Sequence, residues 1–135
     1  MINKQSGTLY EQLFIAEAMK RGLHVSEVKG DYLPYDVVID NGKKLIKVQV
    51  KGTRCKQGTS GYKITVGKGN SLAKKTVRDA NSFDILAAVV VADGARHWYL
   101  IPEDKFPKVI TLRLAPSPTS KGKYEVYKHG WDLIC

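Results

Sequence analysis

The stretch from Pro34 to Lys51 constrains the fold most. It reads Pro-Tyr-Asp-Val-Val-Ile-Asp-Asn-Gly-Lys-Lys-Leu-Ile-Lys-Val-Gln-Val-Lys, two runs of strand chemistry around Asn41-Gly42. Asn-Gly is the strongest short hairpin signal, because a two-residue type I′ turn needs positive φ at both positions. With these two as the loop, Asp40 pairs with Lys43, Val38 with Leu45, and Asp36 lies opposite Lys47 and diagonal to Gln49. Side chains alternate between the faces of a strand. One face then collects Tyr35, Val37, Ile39, Ile46, Val48 and Val50, a core-facing set. The other collects Asp36, Val38, Leu45, Lys47, Gln49 and Lys51. A carboxylate, an amide and two ammonium groups therefore share one side of a strand pair whose other side is apolar.

The chain's 135 residues suffice for a single domain with its own core. No apolar run approaches the ~20 residues of a membrane span. The first residues, Met1 to Ser6, carry no signal-peptide stretch, so a cytoplasmic protein is expected. Cys55 and Cys135 are the two cysteines, too few for a disulfide framework or a structural zinc site, and both read as reduced thiols.

Charge is more informative. Lys and Arg number 22 against 13 acids, a net charge of +9. Half of the basic residues fall between Lys43 and Arg78, a stretch without a single Asp or Glu. A solvated face normally intersperses both signs, whereas a block of one sign on a folded domain is the footprint of a polyanion, usually nucleic acid.

Along the rest of the chain, Thr8 and Glu11 have capping-box spacing at the start of a helix that runs through Lys20 and stops at Gly22. Its apolar residues are Leu9, Leu13, Phe14, Ile15, Ala16 and Ala18, with Glu11 on the margin of the stripe. Leu23 to Val28 reads as an edge strand and Tyr62 to Val66 as a third strand. Gly67-Lys68-Gly69-Asn70 is a turn that completes no nucleotide fingerprint. Ser71 to Arg78 is a short basic helix or a loop. Phe83 to Val91 is a continuous apolar run, suited to a central strand covered on both faces. Asp93-Gly94 turns the chain into His97 to Ile101, and Pro102 opens a helical turn through Phe106. Val109 to Leu114 has strand chemistry, Ala115 to Lys123 reads as a mobile loop, and the aromatics from Tyr124 to Trp131 dock the tail. No repeat or domain boundary is visible. His24, His97 and His129 lack metal-ligand spacing, no Gly-x-Ser-x-Gly elbow is present, and Trp98 and Tyr99 alternate as core residues would.

The order helix, hairpin, strand, buried strand, with Glu11 on the helix, Asp36 on one strand and Gln49-Val50-Lys51 on the next, resembles the PD-(D/E)XK nuclease superfamily. The likeness spans Ser6 to Ile101. Two departures stand out: Tyr35 intervenes between Pro34 and Asp36, and Gln49 replaces the second acid. The Gln-x-Lys variant in a small basic chain, with the tail Tyr124 to Trp131, is most similar to the homing endonucleases of cyanobacterial group I introns. The resemblance implies an α/β, restriction-endonuclease-like core with a mixed central sheet and flanking helices in one domain, 1–135. It implies a metal-dependent endodeoxyribonuclease that makes a double-strand break. It implies Mg2+ or Mn2+ held by Asp36, Glu11 and Gln49, with Lys51 beside the reacting phosphate. It further implies double-stranded DNA as partner and a homo-oligomer, a dimer at least and a tetramer in the intron-encoded group.

Magnesium takes oxygen ligands, usually one or two carboxylates completed by waters and substrate phosphate. Gln49 can ligate through its amide oxygen or orient a bound water, and its neutrality predicts weaker metal affinity than Glu would give. For DNA contacts the candidates are Arg54, Lys56, Lys63, Lys68, Lys74, Lys75 and Arg78. Two other readings fit the same residues: a junction resolvase or a phage or restriction nuclease on the same core, and a non-catalytic DNA-binding protein with a decayed site.

Overall fold

The structure, a computed structural model, describes residues 3–30, 32–54, 61–69, 75–117 and 122–135. Its frame is a helix α1 (Asn3–Lys20) and strands β1 (His24–Glu27), β2 (Val37–Asp40), β3 (Leu45–Thr53), β4 (Tyr62–Thr65), β5 (Ile85–Ala92), β6 (Ala95–Pro102) and β7 (Thr111–Leu114). Five of these form one mixed sheet in the order β1-β2-β3-β5-β6, while β4 and β7 pair in a second sheet. Within the large sheet only β3 and β5 run parallel. Short 3-10 turns occupy Glu103–Lys105, Glu125–Tyr127 and Trp131–Leu133. The α/β class and the mixed sheet match expectation. Among the described residues α1 is the one α-helix, and no helix is long and apolar enough to cross a membrane.

Helix α1 begins at Asn3, so Thr8 and Glu11 lie inside it and the capping box does not form. Its C-terminus behaves as the sequence predicts. Gly22 takes φ 81°, the left-handed cap that glycine adopts without a Cβ penalty, and the Gly22 N–H donates to Met19 O at 2.9 Å. The buried stripe is Tyr10, Phe14 and Ala18, one residue per turn, while Ala16 is exposed.

The hairpin turn differs from the two-residue loop. Asp40 pairs with Leu45, and Val38 with Lys47, so Asn41 to Lys44 make a four-residue loop. Side chains account for the change. Asn41 Oδ1 accepts from the Lys43 and Lys44 N–H groups at 2.9 and 3.0 Å, and Asp40 Oδ1 accepts from the Gly42 N–H at 2.9 Å. Such Asx bonds replace the backbone turn, and only Gly42 takes a positive φ, 84°. The shift is two residues, so the faces survive, because side-chain direction repeats every two. Val37, Ile39, Ile46, Val48 and Val50 are all buried in the core under α1.

Tyr35 is the exception. It precedes β2 and packs instead against the second core. That core joins the outward residues of β5 and β6 (Leu86, Ala88, Val90, Tyr99, Ile101) to Ile64, Leu112 and Leu114 of the small sheet. Strand β5 thus feeds both cores, Ala87 and Val89 toward the helix and its neighbours away from it, as its apolar run predicts. None of β1, β2 or β3 contributes a side chain to the second core. The outer face of the β2–β3 hairpin, which carries Asp36, Lys47, Gln49 and Lys51, therefore takes no part in that core.

Asp93 and Gly94, at φ 52° and 74°, make the tight turn between β5 and β6. The tail docks as expected. Trp131 stacks on Phe14 with centroids 5.7 Å apart, and Tyr124 enters the second core. Of the segment expected as a basic helix or loop, residues 71–74 lie outside the described residues. Thr76 makes an isolated bridge with Lys68, so the described part is not helical. The loop expected from Ala115 to Lys123 has no regular structure at 115–117, and 118–121 lie outside the described residues.

Two contacts lock helix and crossover to the sheet. A Cβ on Gly52 would stand 2.3 Å from the Tyr10 ring, so only glycine lets α1 lie this close to β3. Arg78 is buried, 5% exposed. It donates to Glu103 Oε2 at 2.9 Å and to the carbonyls of Glu103, Phe106 and Pro107 at 2.7 to 2.8 Å, with its guanidinium 3.6 Å from the Phe106 ring centroid. Arg78 is thus a structural pin and is not available to DNA.

Gly52→Ala should cost about 3 kcal/mol by overpacking Tyr10, read as a lowered urea midpoint. Arg78→Met should cost about 3–5 kcal/mol, because it strands the Glu103 carboxylate and three carbonyls. An exposed control such as Lys105→Met should leave the midpoint within about 0.5 kcal/mol of the parent.

Candidate active site

The polar face of the hairpin is built around Asp36. Its backbone is held on both sides: the N–H donates to Val48 O at 2.9 Å, and the C=O accepts from the Val28 N–H at 3.1 Å. The corrected register sets Asp36 across from Gln49 instead of Lys47. The carboxylate oxygen Oδ2 accepts from the Val50 N–H at 2.8 Å and from Gln49 Nε2 at 3.1 Å. Gln49 presents its amide nitrogen because a carbonyl oxygen turned toward the carboxylate would be repelled. Both residues are partly buried.

Lys51 follows Gln49 on the same face, where half-burial sets its electrostatics. Burial pushes its ammonium below the ordinary lysine range, the nearby Asp36 carboxylate opposes that shift, Lys75 adds to it, and Glu11 opposes it again. Asp36 and Glu11 both lie within electrostatic reach of Lys51. Helix α1 brings Glu11 there by seating the adjacent Tyr10 on Gly52. Freed from a capping role, Glu11 is half-buried and interacts with its surroundings. The four residues that the sequence singles out thus converge on one end of β3.

The donor chemistry suits a hard divalent cation. Among the described residues no group of three or more His, Cys, Asp or Glu is arranged to hold a metal. Two carboxylates and one amide oxygen, with no thiolate or imidazole, are the oxygen-only set that magnesium accepts when water and phosphate complete its shell. The histidines are not part of it. His97 and His129 stand 6.4 Å apart, ring to ring, beside the docked tail.

The basic candidates divide. Lys75 acts on Lys51 electrostatically and donates to Gly69 O at 2.7 Å, so it stands by the site. Arg54 is exposed just beyond β3, and Lys63 is half-buried on β4 opposite Arg113. Lys68 is paired with Asp79 at 2.9 Å. Lys56 and Lys74 lie outside the described residues. Two acids beyond the basic block, Asp79 next to its end and Glu103, 25 residues past it, fold back onto it and neutralise Lys68 and Arg78. Asp84 is a further residue that the sequence reading passed over. Its Oδ2 accepts from the Lys47 N–H and its own N–H donates to Lys47 O, both at 2.9 Å. The available signal was an Asp placed immediately before an apolar strand.

The chain matches the family described as PD-(D/E)XK endonuclease over residues 1–134. Among solved structures it is similar to the bacterial homing endonuclease I-Ssp6803I, with TM-score 0.83 and 26% identity over 99% of this chain and 93% of that one. It is also similar to Hjc, a Holliday junction resolvase from Archaeoglobus fulgidus, with TM-score 0.55 and 15% identity over 89% and 88% of the two chains. No curated protein sequence matches. The Asp36, Gln49 and Lys51 constellation, the mixed sheet that presents it and the match along nearly the whole sequence agree: the chain belongs to the PD-(D/E)XK endonuclease family.

Proposed function

We propose that the chain is a divalent-metal-dependent DNA endonuclease of the homing type, a single domain that assembles at least as a dimer to break both strands of a duplex. One observation carries this reading most directly. The Asp36 carboxylate is fixed by the Val50 N–H and the Gln49 amide beside a half-buried Lys51. Lysines whose charge is poorly solvated beside a positioned carboxylate are concentrated at functional sites.

Asp36, Glu11 and Gln49 would hold Mg2+ or Mn2+, which when bound polarises the phosphoryl oxygen and acidifies a water. Asp36 supplies a carboxylate whose orientation is already set, so little is lost in organising it. Glu11 adds a second negative charge from the helix. In the observed arrangement Gln49 donates to Asp36, so direct ligation through its oxygen requires the amide to turn over. Held as it is, Gln49 orients Asp36 instead. The Lys51 ammonium stands where charge grows on the phosphorane and offsets it. In its neutral form, which burial favours, the same amine would instead accept a proton from the attacking water. Cutting both strands requires two such sites, hence the dimer at least, and the likeness to a homing endonuclease favours a tetramer on a long target. The cytoplasm, where a duplex target and free magnesium are both at hand, is the proposed location. The likeness to Hjc extends to the fold alone, so a four-way junction is a competing substrate to be tested.

With Mg2+ or Mn2+, a long linear duplex library should be cut at a defined site in preference to a four-way junction, and chelation should abolish cutting. Preferential junction cleavage would instead identify a resolvase. Asp36→Ala and Lys51→Ala should each lower cleavage about a thousandfold while duplex binding persists. Binding without cleavage by the parent protein in any divalent metal would assign it to DNA binding alone. Gln49→Glu adds a charge to the donor set and should lower the metal concentration needed for half-maximal cleavage. An unchanged metal requirement would remove Gln49 from the metal's surroundings.

A further inference from the structure

Lys47 is a lysine on the active face that no catalytic role absorbs. It shares that face of β3 with Gln49 and Lys51, at positions two and four residues away. Its backbone is fixed twice over: it pairs with Val38 on one side, and on the other it exchanges two 2.9 Å hydrogen bonds with Asp84. Its side chain is held as well. The ammonium lies over the Tyr35 ring, 5.6 Å from the centroid, and Tyr35 itself packs against the second core. Lys47 is half-buried, and among the described residues no carboxylate forms an ion pair with its ammonium. Asp84, which adjoins Lys47 in the strand ladder, is turned onto the Lys47 backbone amide instead. A positioned cation with no ion-pair partner among the described residues, on a face left open by the second core, is arranged to receive an anion from outside.

Spacing gives the anion's class. Strand geometry separates Lys47, Gln49 and Lys51 by steps of about 6.6 Å, comparable with the separation of neighbouring phosphates along one nucleic-acid strand. We propose that Lys47, steered by the Tyr35 ring, binds the second phosphate along from the scissile one that Lys51 faces, so that β3 grips the cut strand at two points. The residue inserted between Pro34 and Asp36 thereby acquires a role, as the platform that aims this lysine. The proposal rests on the endonuclease reading. It goes beyond it in assigning a binding residue and its platform, and it makes no claim on the chemical step.

Salt dependence of binding tests it. Each phosphate contact contributes about 0.9 to the slope of log K against log salt on duplex DNA. With a fluorescein-labelled duplex of random sequence and no divalent metal, Lys47→Met should flatten the slope by about one unit, as loss of a single phosphate contact does. Lys47→Arg should keep the slope. Lys20→Met, at the end of the helix on the opposite face of the sheet, should leave it unchanged. On a cleavable duplex, Lys47→Met should raise KM while kcat stays within about twofold of the parent. Tyr35→Leu should weaken binding in the parent but add nothing in the Lys47→Met background, since the ring acts only through the lysine. If Lys47→Met does not fold, Lys47→Gln, which keeps much of the stem, takes its place in both measurements. An unchanged slope and KM in a folded Lys47 variant overturn the proposal while leaving the endonuclease reading intact. A parent protein that neither binds nor cuts duplex overturns both.

Discussion

Strands β3 and β5 lie side by side and point the same way, and much of the molecule follows from that pairing. Parallel neighbours cannot be joined by a tight turn; the chain must leave the top of one and return to the foot of the other. Here the return runs from Arg54 to Asp84 and carries β4 into the second sheet. It is also the heart of the acid-free block. The topology that buries β5 on both faces therefore returns the chain past β3, and Lys75 of that return comes close enough to act on Lys51. Fold and electrostatic footprint have one cause.

That shared cause explains what the sequence made legible. Alternation on β3 and the unbroken apolar run of β5 are local patterns dictated by burial, and both are realised. The hairpin register was misread by two residues, yet the faces held, because the error was even. The errors that mattered are non-local. Thr8 and Glu11 have the spacing of a cap, but the helix extends back to Asn3, and nothing at Thr8 itself signals that. Arg78 looks like any other cation in a basic block until Glu103, 25 residues on, is folded against it. Tyr35 counts as a core residue by alternation, but alternation has no force before β2 begins. Charge pairing and the ends of elements are settled by partners distant in sequence, which periodicity cannot see.

The site is electrically lean. Asp36 and Glu11 supply two negative charges, Lys51 one positive, and Gln49 none. A third acid would bind a cation more tightly but would also raise the cost of bringing in a phosphodiester. The neutral amide leaves the site one negative charge short of what a third acid would give, and it keeps Asp36 aligned through the hydrogen bond that it donates.

Asn41 performs a second task besides shaping the turn. Its Nδ2 donates to Ile134 O at 3.2 Å, and the buried Ile134 side chain and Trp131 enter the core under α1, where Trp131 stacks on Phe14. The hairpin that carries Asp36 and Gln49 and the helix that carries Glu11 are therefore fastened to the same short segment of chain, at the end of the sheet away from the reacting groups. Relative alignment of the two carboxylates has a second support there, beyond the seat of Tyr10 on Gly52. A change around Trp131 would therefore be felt by both elements that carry the carboxylates.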